Sequence, residues 1–500
     1  MPDTNTPLNI LSPGAKLPRW ALAVVVLMLG FVGWFYVSRA VEHGYMVNRN
    51  LQQMMDTEVK ERFKGSEEAA IKANRPVNSY DLNDQRVYMN YGKGLRESNY
   101  EMFITRMRMP MFMYLLSTVT DSTPRPQDSE SLKAFYNEYF PVARAFNIGL
   151  SIALLVAMFF ALHRWLGNWM GLSFCLIVAF QLFILKSPYV QPEVLIAALV
   201  VVTVGWIVRT LHEPTWVNAM IAGFCLCAWH MTKANALVAL AATGLIMGFQ
   251  LLFASTNKRR LAILIAGPVM VAAYFLPISP YLYTSYKIFG SPLHNVQSKY
   301  YMWATDVDDK HDLQGMGLDR TLASVDKDGD GKVDKPEDLP SASKYWREHS
   351  WESIKDRIER GVVMMYRNAF VEYPPFFAML LLWSGLALIA MATCWEKASL
   401  GILKWKWELA YVAILLTAFT YLFGWFTTLK VGPRLVNSIS LIPLLFFMAI
   451  VHHLWKDKAV RLAGRVFSSE KLLIVAFLIT WVAFTALHLQ DDLIGGYFAG

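Results

Sequence analysis

Apolar windows of about twenty residues recur along the whole chain, close to the length a helix needs to cross a hydrocarbon core about 30 Å thick. They fall near 20–38, 144–163, 168–186, 193–209, 216–231, 235–254, 261–278, 376–394, 408–428, 436–454 and 472–489. A segment in hydrocarbon must satisfy its own backbone hydrogen bonds, so each window predicts a helix. The expected fold class is an all-α polytopic membrane protein with about 11 transmembrane helices and two large extracytoplasmic loops. Only 17% of the 500 residues are charged, against roughly 25% in soluble domains.

The net charge of +8 does not point to nucleic acid, because much of it lies in short links between apolar runs. Lys16 and Arg19 precede the first run, and no small-residue cleavage site follows it, so an uncleaved first helix with a cytoplasmic N-terminus is expected. Alternation from that start leaves Arg164, Arg209, Lys258-Arg259-Arg260, Lys397, Lys404, Lys406, Lys456, Lys458, Arg461, Arg465 and Lys471 inside. That agrees with the bias of basic loops toward the cytoplasm. The organisation is then a tail and first helix (1–38), a first extracytoplasmic loop (39–143), helices two to seven (144–278), a second extracytoplasmic loop (279–375) and helices eight to eleven (376–500). Any chemistry falls on the outer face of a plasma or bacterial inner membrane. Cys175, Cys225, Cys227 and Cys394 sit in or beside apolar runs and read as small core residues. A long amphipathic stretch, Ser343 to Val363, is predicted as one helix in the second loop.

The first loop carries Asp81, Asp84 and Tyr88, followed by Arg106-Met107-Arg108-Met109-Pro110. Asp84 and Tyr88, four apart, share one helical face just outside the bilayer. An ionisable side chain beside apolar helices is costly, which makes Asp84 a functional candidate with Asp81 as its neighbour. The competing reading is a helix-capping or surface acid. Glu193 follows Pro192 at a predicted helix start, where the helix dipole favours a carboxylate in any case. Lys233 and Arg434 lie at predicted helix ends, where they either bind an anion or snorkel to headgroups. His230 reads as an interfacial histidine, and His452-His453 as a structural pair.

The Asp84…Tyr88…Arg-x-Pro order resembles the first outer loop of GT-C glycosyltransferases. Further similarities follow in the same order: Ser187-Pro188-Tyr189-Val190-Gln191-Pro192-Glu193, Trp229-His230-Met231-Thr232-Lys233, Gly290-Ser291-Pro292, and Gly432-Pro433-Arg434 before Ile442-Pro443. Together they resemble the protein mannosyltransferase and aminoarabinose transferase group. The chain departs from that pattern in having Glu193 where an Asp is usual and in lacking prolines adjacent to its Arg-x-Pro. The resemblance implies transfer of a sugar from a polyprenyl-phosphate donor to a lipid, glycan or protein acceptor. Asp84 would be the base that takes the acceptor hydroxyl's proton, Asp81 its competitor and Glu193 a second acid. Lys233 and Arg434 would stabilise the departing phosphate.

A separate motif spans 326–337, Asp-Lys-Asp-Gly-Asp-Gly-Lys-Val-Asp-Lys-Pro-Glu. Asp326, Asp328, Asp330, Asp334 and Glu337 place oxygen donors at positions 1, 3, 5, 9 and 12 of an EF-hand-type loop, Lys332 would give its carbonyl at position 7, and Gly331 makes the turn. Such spacing wraps Ca2+. Pro336 and Pro340 disfavour a long exiting helix, so the expectation is a structural calcium clip in the outer loop, the competing reading being an ion-free acidic turn. A calcium-binding transporter or channel would need paired broken helices and midplane charges, and here the charges gather at span ends. A non-catalytic scaffold is the third possibility, since a fold does not fix a function.

Overall fold

The computed structural model describes residues 19–72, 84–99, 108–119, 129–315, 339–372, 374–429, 434–456, 459–462, 465–468 and, apart from 476 and 480, 473–482. Regular structure there is helical except for one hairpin, in which β1 (Ala459–Leu462) pairs antiparallel with β2 (Arg465–Ser468). Seven helical stretches are long and apolar enough to cross a membrane: Tyr139–His163, Trp165–Lys186, Glu193–His212, Asn257–Lys287, Pro374–Thr393, Lys406–Thr427 and Val436–Trp455. This is a multi-pass, helical membrane protein.

In chain order, α1 (Arg19–Arg62), α2 (Glu67–Lys72), α3 (Gln85–Glu97) and α4 (Pro110–Ser117) come first. The long α5 (Ser129–Val178) bends at Gly167, whose positive φ of 72° no other residue type adopts cheaply, and which lies against the His452 ring. A π-helical turn, Ala179–Phe183, leads into α6 (Ile184–Lys186). The bundle continues with α7 (Glu193–His212), α8 (Trp216–Thr232), α9 (Ala236–Leu252) and α10 (Asn257–Phe289). The segment between α10 and the next long apolar helix holds α11 (Val296–Lys299), α12 (Val307–Gly315), α13 (Ala342–Glu348) and α14 (Trp351–Glu372). Last come α15 (Pro374–Thr393), α16 (Trp395–Lys404), α17 (Lys406–Thr427) and α18 (Arg434–Trp455).

Burial separates centre from rim. The apolar windows of Trp165–Lys186 and Glu193–His212 are 72% buried by protein, whereas Tyr139–His163 is 28% buried and Asn257–Lys287 33%. Rim side chains such as Phe160, Leu252, Leu276, Leu381 and Leu388 are exposed, as expected where lipid rather than protein covers them. At the centre α7 packs on α8 and α18, and Trp229 stacks on Phe419 while donating Nε1–H to Asn235 at 3.0 Å. Helices approach closely where side chains are smallest. A Cβ on Gly223 of α8 would meet the Met270 carbonyl of α10, and one on Gly361 of α14 would meet the Gly424 carbonyl of α17.

Helix α1 runs on past the first apolar run to Arg62. Arg39–Glu42 and Glu58–Arg62 ion pairs, three and four residues apart, support this polar half. The single helix expected over Ser343 to Val363 is two, interrupted at His349, whose backbone is extended. The Ser350 hydroxyl accepts the Ser353 N–H at 3.2 Å and starts α14 anew.

The segment between α10 and α15 is pinned to the end of α17. Buried Arg357 donates from Nη1 to Ala304 O (2.9 Å) and Tyr345 Oη (2.8 Å), and from Nε to Thr428 Oγ1 (3.1 Å). Its guanidinium lies 4.2 Å from the Trp425 ring centroid, and Trp425 donates to Met302 O at 2.6 Å. Lys310 Nζ donates to Leu429 O at 2.9 Å.

Candidate functional site

The Gln85–Val190 bond ties the start of α3 to the turn before α7, and the first turns of α7 and α18 line one pocket, so Asp84, Glu193 and Arg434 stand at neighbouring helix starts.

Asp84 is the N-cap residue of α3, in left-handed backbone conformation with φ 59° and ψ 0°. Outside glycine that conformation is best tolerated by Asn and Asp, and it marks a backbone held in place by its surroundings. The Asp84 carboxylate meets Arg108 Nη2 at 2.9 Å, a pair in which the arginine side chain is only 13% exposed and the aspartate 30%. The same guanidinium lies 5.8 Å from the Tyr88 ring centroid, and Tyr88 packs edge-on against Phe112. The helical turn expected from the Asp84…Tyr88 spacing is present, since Tyr88 N–H donates to Asp84 O at 3.1 Å. Arg108 stands two residues before Pro110, the first residue of α4. It therefore joins the starts of α3 and α4 through one side chain. Met109 fixes α4 to the bundle, its sulfur accepting from Tyr281 Oη (3.6 Å) and Asn295 Nδ2 (3.7 Å).

Gln85 connects this corner to Glu193. Its Oε1 accepts the Val190 N–H at 2.9 Å, within the turn that leads to Glu193. The turn is further held by Asn147, whose Nδ2 donates to Ser187 O (3.0 Å) and Tyr189 O (2.5 Å). Tyr36 Oη lies 2.7 Å from Ser151 Oγ and donates to Ser187 Oγ at 3.1 Å. Burial raises the Tyr189 phenol well above its usual range, with the Arg144 charge acting the other way. The turn is rigid because its backbone groups find partners among buried side chains.

Glu193 is the first residue of α7 and lines a small pocket with Leu182, Phe183, Lys186, Val194, Ala197, Asn437 and Ser438. The pocket, about 240 Å³ including its open mouth, lies between the π-helical turn with α6, α7 and the first turn of α18. Asn437 is 3% exposed, and neither its Oδ1 nor its Nδ2 has a hydrogen-bond partner. Lys186 and Asn437 carry no sequence signal as site residues. One ends an apolar run and the other stands with Ser438 and Ser440 at the start of one.

Lys233 closes α8 with extended backbone, its N–H donating to Trp229 O at 2.7 Å. Arg434 is the first residue of α18, one turn before Asn437. Asp81 and the calcium-loop residues Asp326, Asp328, Asp330, Lys332, Asp334 and Glu337 lie outside the described residues. Among the described residues no group of three or more His, Cys, Asp or Glu side chains is placed to hold a metal ion. His230 is not interfacial as expected: it is buried between α8 and α10, its Nδ1 lying 2.7 Å from Tyr274 Oη.

His43 backs the same turn, edge-on to Tyr189, at the point where α1 leaves the apolar run. Burial, reinforced by the Lys186 charge, lowers its pKa to about 4. Below the unfolded value near 6.5 the unfolded chain binds the proton that the folded chain refuses, so stability falls as pH drops from about 6.5 toward 4. The full effect is about 3 kcal/mol for a shift of this size. Thermal midpoints measured from pH 7 to 4 should fall less steeply for His43→Gln than for the wild type. Parallel curves would remove His43 as a source of acid sensitivity.

No family model matches this chain, and no significant match is found to a curated protein or a solved structure.

Proposed function

We propose that this protein is a membrane glycosyltransferase that moves a sugar from a polyprenyl-phosphate donor to a lipid, glycan or protein acceptor on the outer face. The observation that carries the reading is the Gln85–Val190 bond, which ties the Asp84–Arg108 pair to the turn that presents Glu193. Acidic and basic groups meet there, beside helices apolar enough to guide a prenyl tail. Asp84 would accept the proton of the attacking hydroxyl as that oxygen bonds to the anomeric carbon and the phosphate leaves with its electron pair. Arg108 has a part the sequence did not assign. Phosphate oxygens can compete for its guanidinium, which frees the Asp84 carboxylate when the donor arrives. Lys233 and Arg434 would add cationic stabilisation to the leaving phosphate, and Asp81 and Glu193 are the further acids.

The topology of this reading has eleven spans in a bacterial inner or plasma membrane, with the N-terminus inside and the candidate site outside. Besides the seven long apolar helices it uses the apolar start of α1, the 17-residue α8 and α9, and the run at 472–489. A 17-residue helix is about 25 Å long, at the short end of what a bilayer accepts.

The calcium clip at 326–337 belongs to the same reading. Leu313 and Leu339, which flank 316–338 in sequence, are buried in one cluster with Leu429. An isolated extracellular site of this kind should bind with Kd on the order of 0.1–1 mM. Raising Ca2+ from a chelated baseline to ten times Kd should stabilise the protein by about 1.4 kcal/mol. Asp326→Ala with Glu337→Ala should erase the shift, and a thermal midpoint insensitive to Ca2+ in the wild type would exclude the clip.

The enzyme reading is tested by sugar transfer from purified protein, with hexosyl and pentosyl polyprenyl phosphates as donors and membrane extract as acceptor. Transfer of labelled sugar supports it. Tight binding of every donor without transfer to any acceptor would turn the reading toward a scaffold.

A further inference from the structure

We infer that the pocket between the π-helical turn, α7 and α18 is a subsite that reads a neutral hydroxyl of the transferred sugar, with Asn437 as its principal contact. The inference rests on the glycosyltransferase reading and adds to it a sugar-recognition element separate from the phosphate-binding cations. Three observations meet there.

Asn437 is 97% buried by its 3% exposure, and both its donor and its acceptor lack partners. An amide left so costs about 1–3 kcal/mol for each unsatisfied group, a cost that a ligand can relieve. The π-helical turn Ala179–Phe183 supplies Leu182 and Phe183 to the pocket wall. Such turns insert a residue into an α-helix and recur at functional sites. The remaining polar lining is Lys186, Glu193 and Ser438, one cation, one anion and one hydroxyl. With opposite charges both present, the lining has no net preference for a charged guest. It suits a group that donates and accepts at once, which is what a sugar hydroxyl does and what phosphate at neutral pH does poorly.

Size points the same way. The space inside admits about one water-sized group, the size of a single hydroxyl. A site built to hydrogen-bond a hydroxyl discriminates strongly against analogues that lack it, because its own buried groups are then left unpaired.

The test uses full-length protein in nanodiscs and two probes, a short-chain polyprenyl phosphate and the same lipid carrying a hexose or pentose. The wild type should bind at least one sugar-bearing lipid about tenfold more tightly than the bare phosphate, as one satisfied amide predicts. Asn437→Leu should remove that preference and leave the Kd for bare polyprenyl phosphate unchanged. Asn437→Ser gives the same readout with a smaller side chain if the leucine variant does not fold. A preference that survives in the folded variants, or equal wild-type binding of bare and sugar-bearing lipid across the panel, overturns the subsite and leaves the transferase reading standing. Failure to bind either lipid overturns both.

Discussion

Asp84→Asn should lower the rate of sugar transfer by about 10²–10⁴-fold while the protein folds and binds its lipid donor as before. The substitution suits the question because of the backbone at this position. With φ 59° and ψ 0°, Asp84 occupies a left-handed conformation that asparagine also accepts, so the N-cap of α3 need not rearrange. Alanine would add conformational strain and confuse loss of chemistry with loss of structure. The amide still offers an oxygen to Arg108 Nη2, now 2.9 Å from the carboxylate, but it cannot take up a proton. Initial rates with saturating donor, compared at matched thermal midpoints, separate the two effects. Equal rates would move the base to Asp81. A matching loss in donor affinity would mean that Asp84 positions Arg108 instead of accepting a proton.

The partner of that carboxylate shows what one-dimensional reading can and cannot reach. An acid near a bilayer stands out because its placement is costly, and helix starts after proline are readable, which is why Asp84 and Glu193 stand out as candidates in the sequence. Most of the bundle was legible for a similar reason, since length and hydropathy alone mark a spanning helix. What joins the pieces was not. Gln85 and Val190 are 105 residues apart, and nothing local to either announces the bond. Asn437 is one of several small polar residues, with Ser438 and Ser440, opening an apolar run, and only the absence of a partner in three dimensions makes it conspicuous. The helical extension of α1 to Arg62 was hidden because its surface is polar and its support comes from ion pairs within the helix. The break at His349 was readable in part. Ser350 is a good N-cap, but the aromatic periodicity across it obscured the stop.

Among the described glycines, Gly361→Ala should produce the largest structural effect, about 1–3 kcal/mol or more, read as a shorter half-life at elevated temperature in detergent. The added carbon would coincide with the carbonyl of Gly424, and the obstructing atoms are backbone, so no side chain can turn away to make room. Relief requires α14 to move off α17. The opposing residue at the crossing is also glycine, with Val362 packed against it, so the partner helix has no slack. Movement there reaches beyond the crossing. Arg357, one turn earlier on α14, holds Thr428 at the end of α17 and Ala304 and Tyr345 in the segment between α10 and α14. Shifting α14 would stretch all three bonds and loosen the Trp425 contact 4.2 Å from the guanidinium. Protease accessibility of the 296–345 region should rise in step with the loss of thermal stability. Gly385→Ala, at a position on α15 where an added methyl meets open space, is the control and should leave both measurements unchanged. Were Gly361→Ala equally silent, α14 would not be held against α17 at this crossing, and the segment between α10 and α14 would owe its placement to the Lys310–Leu429 bond and the buried leucines around it.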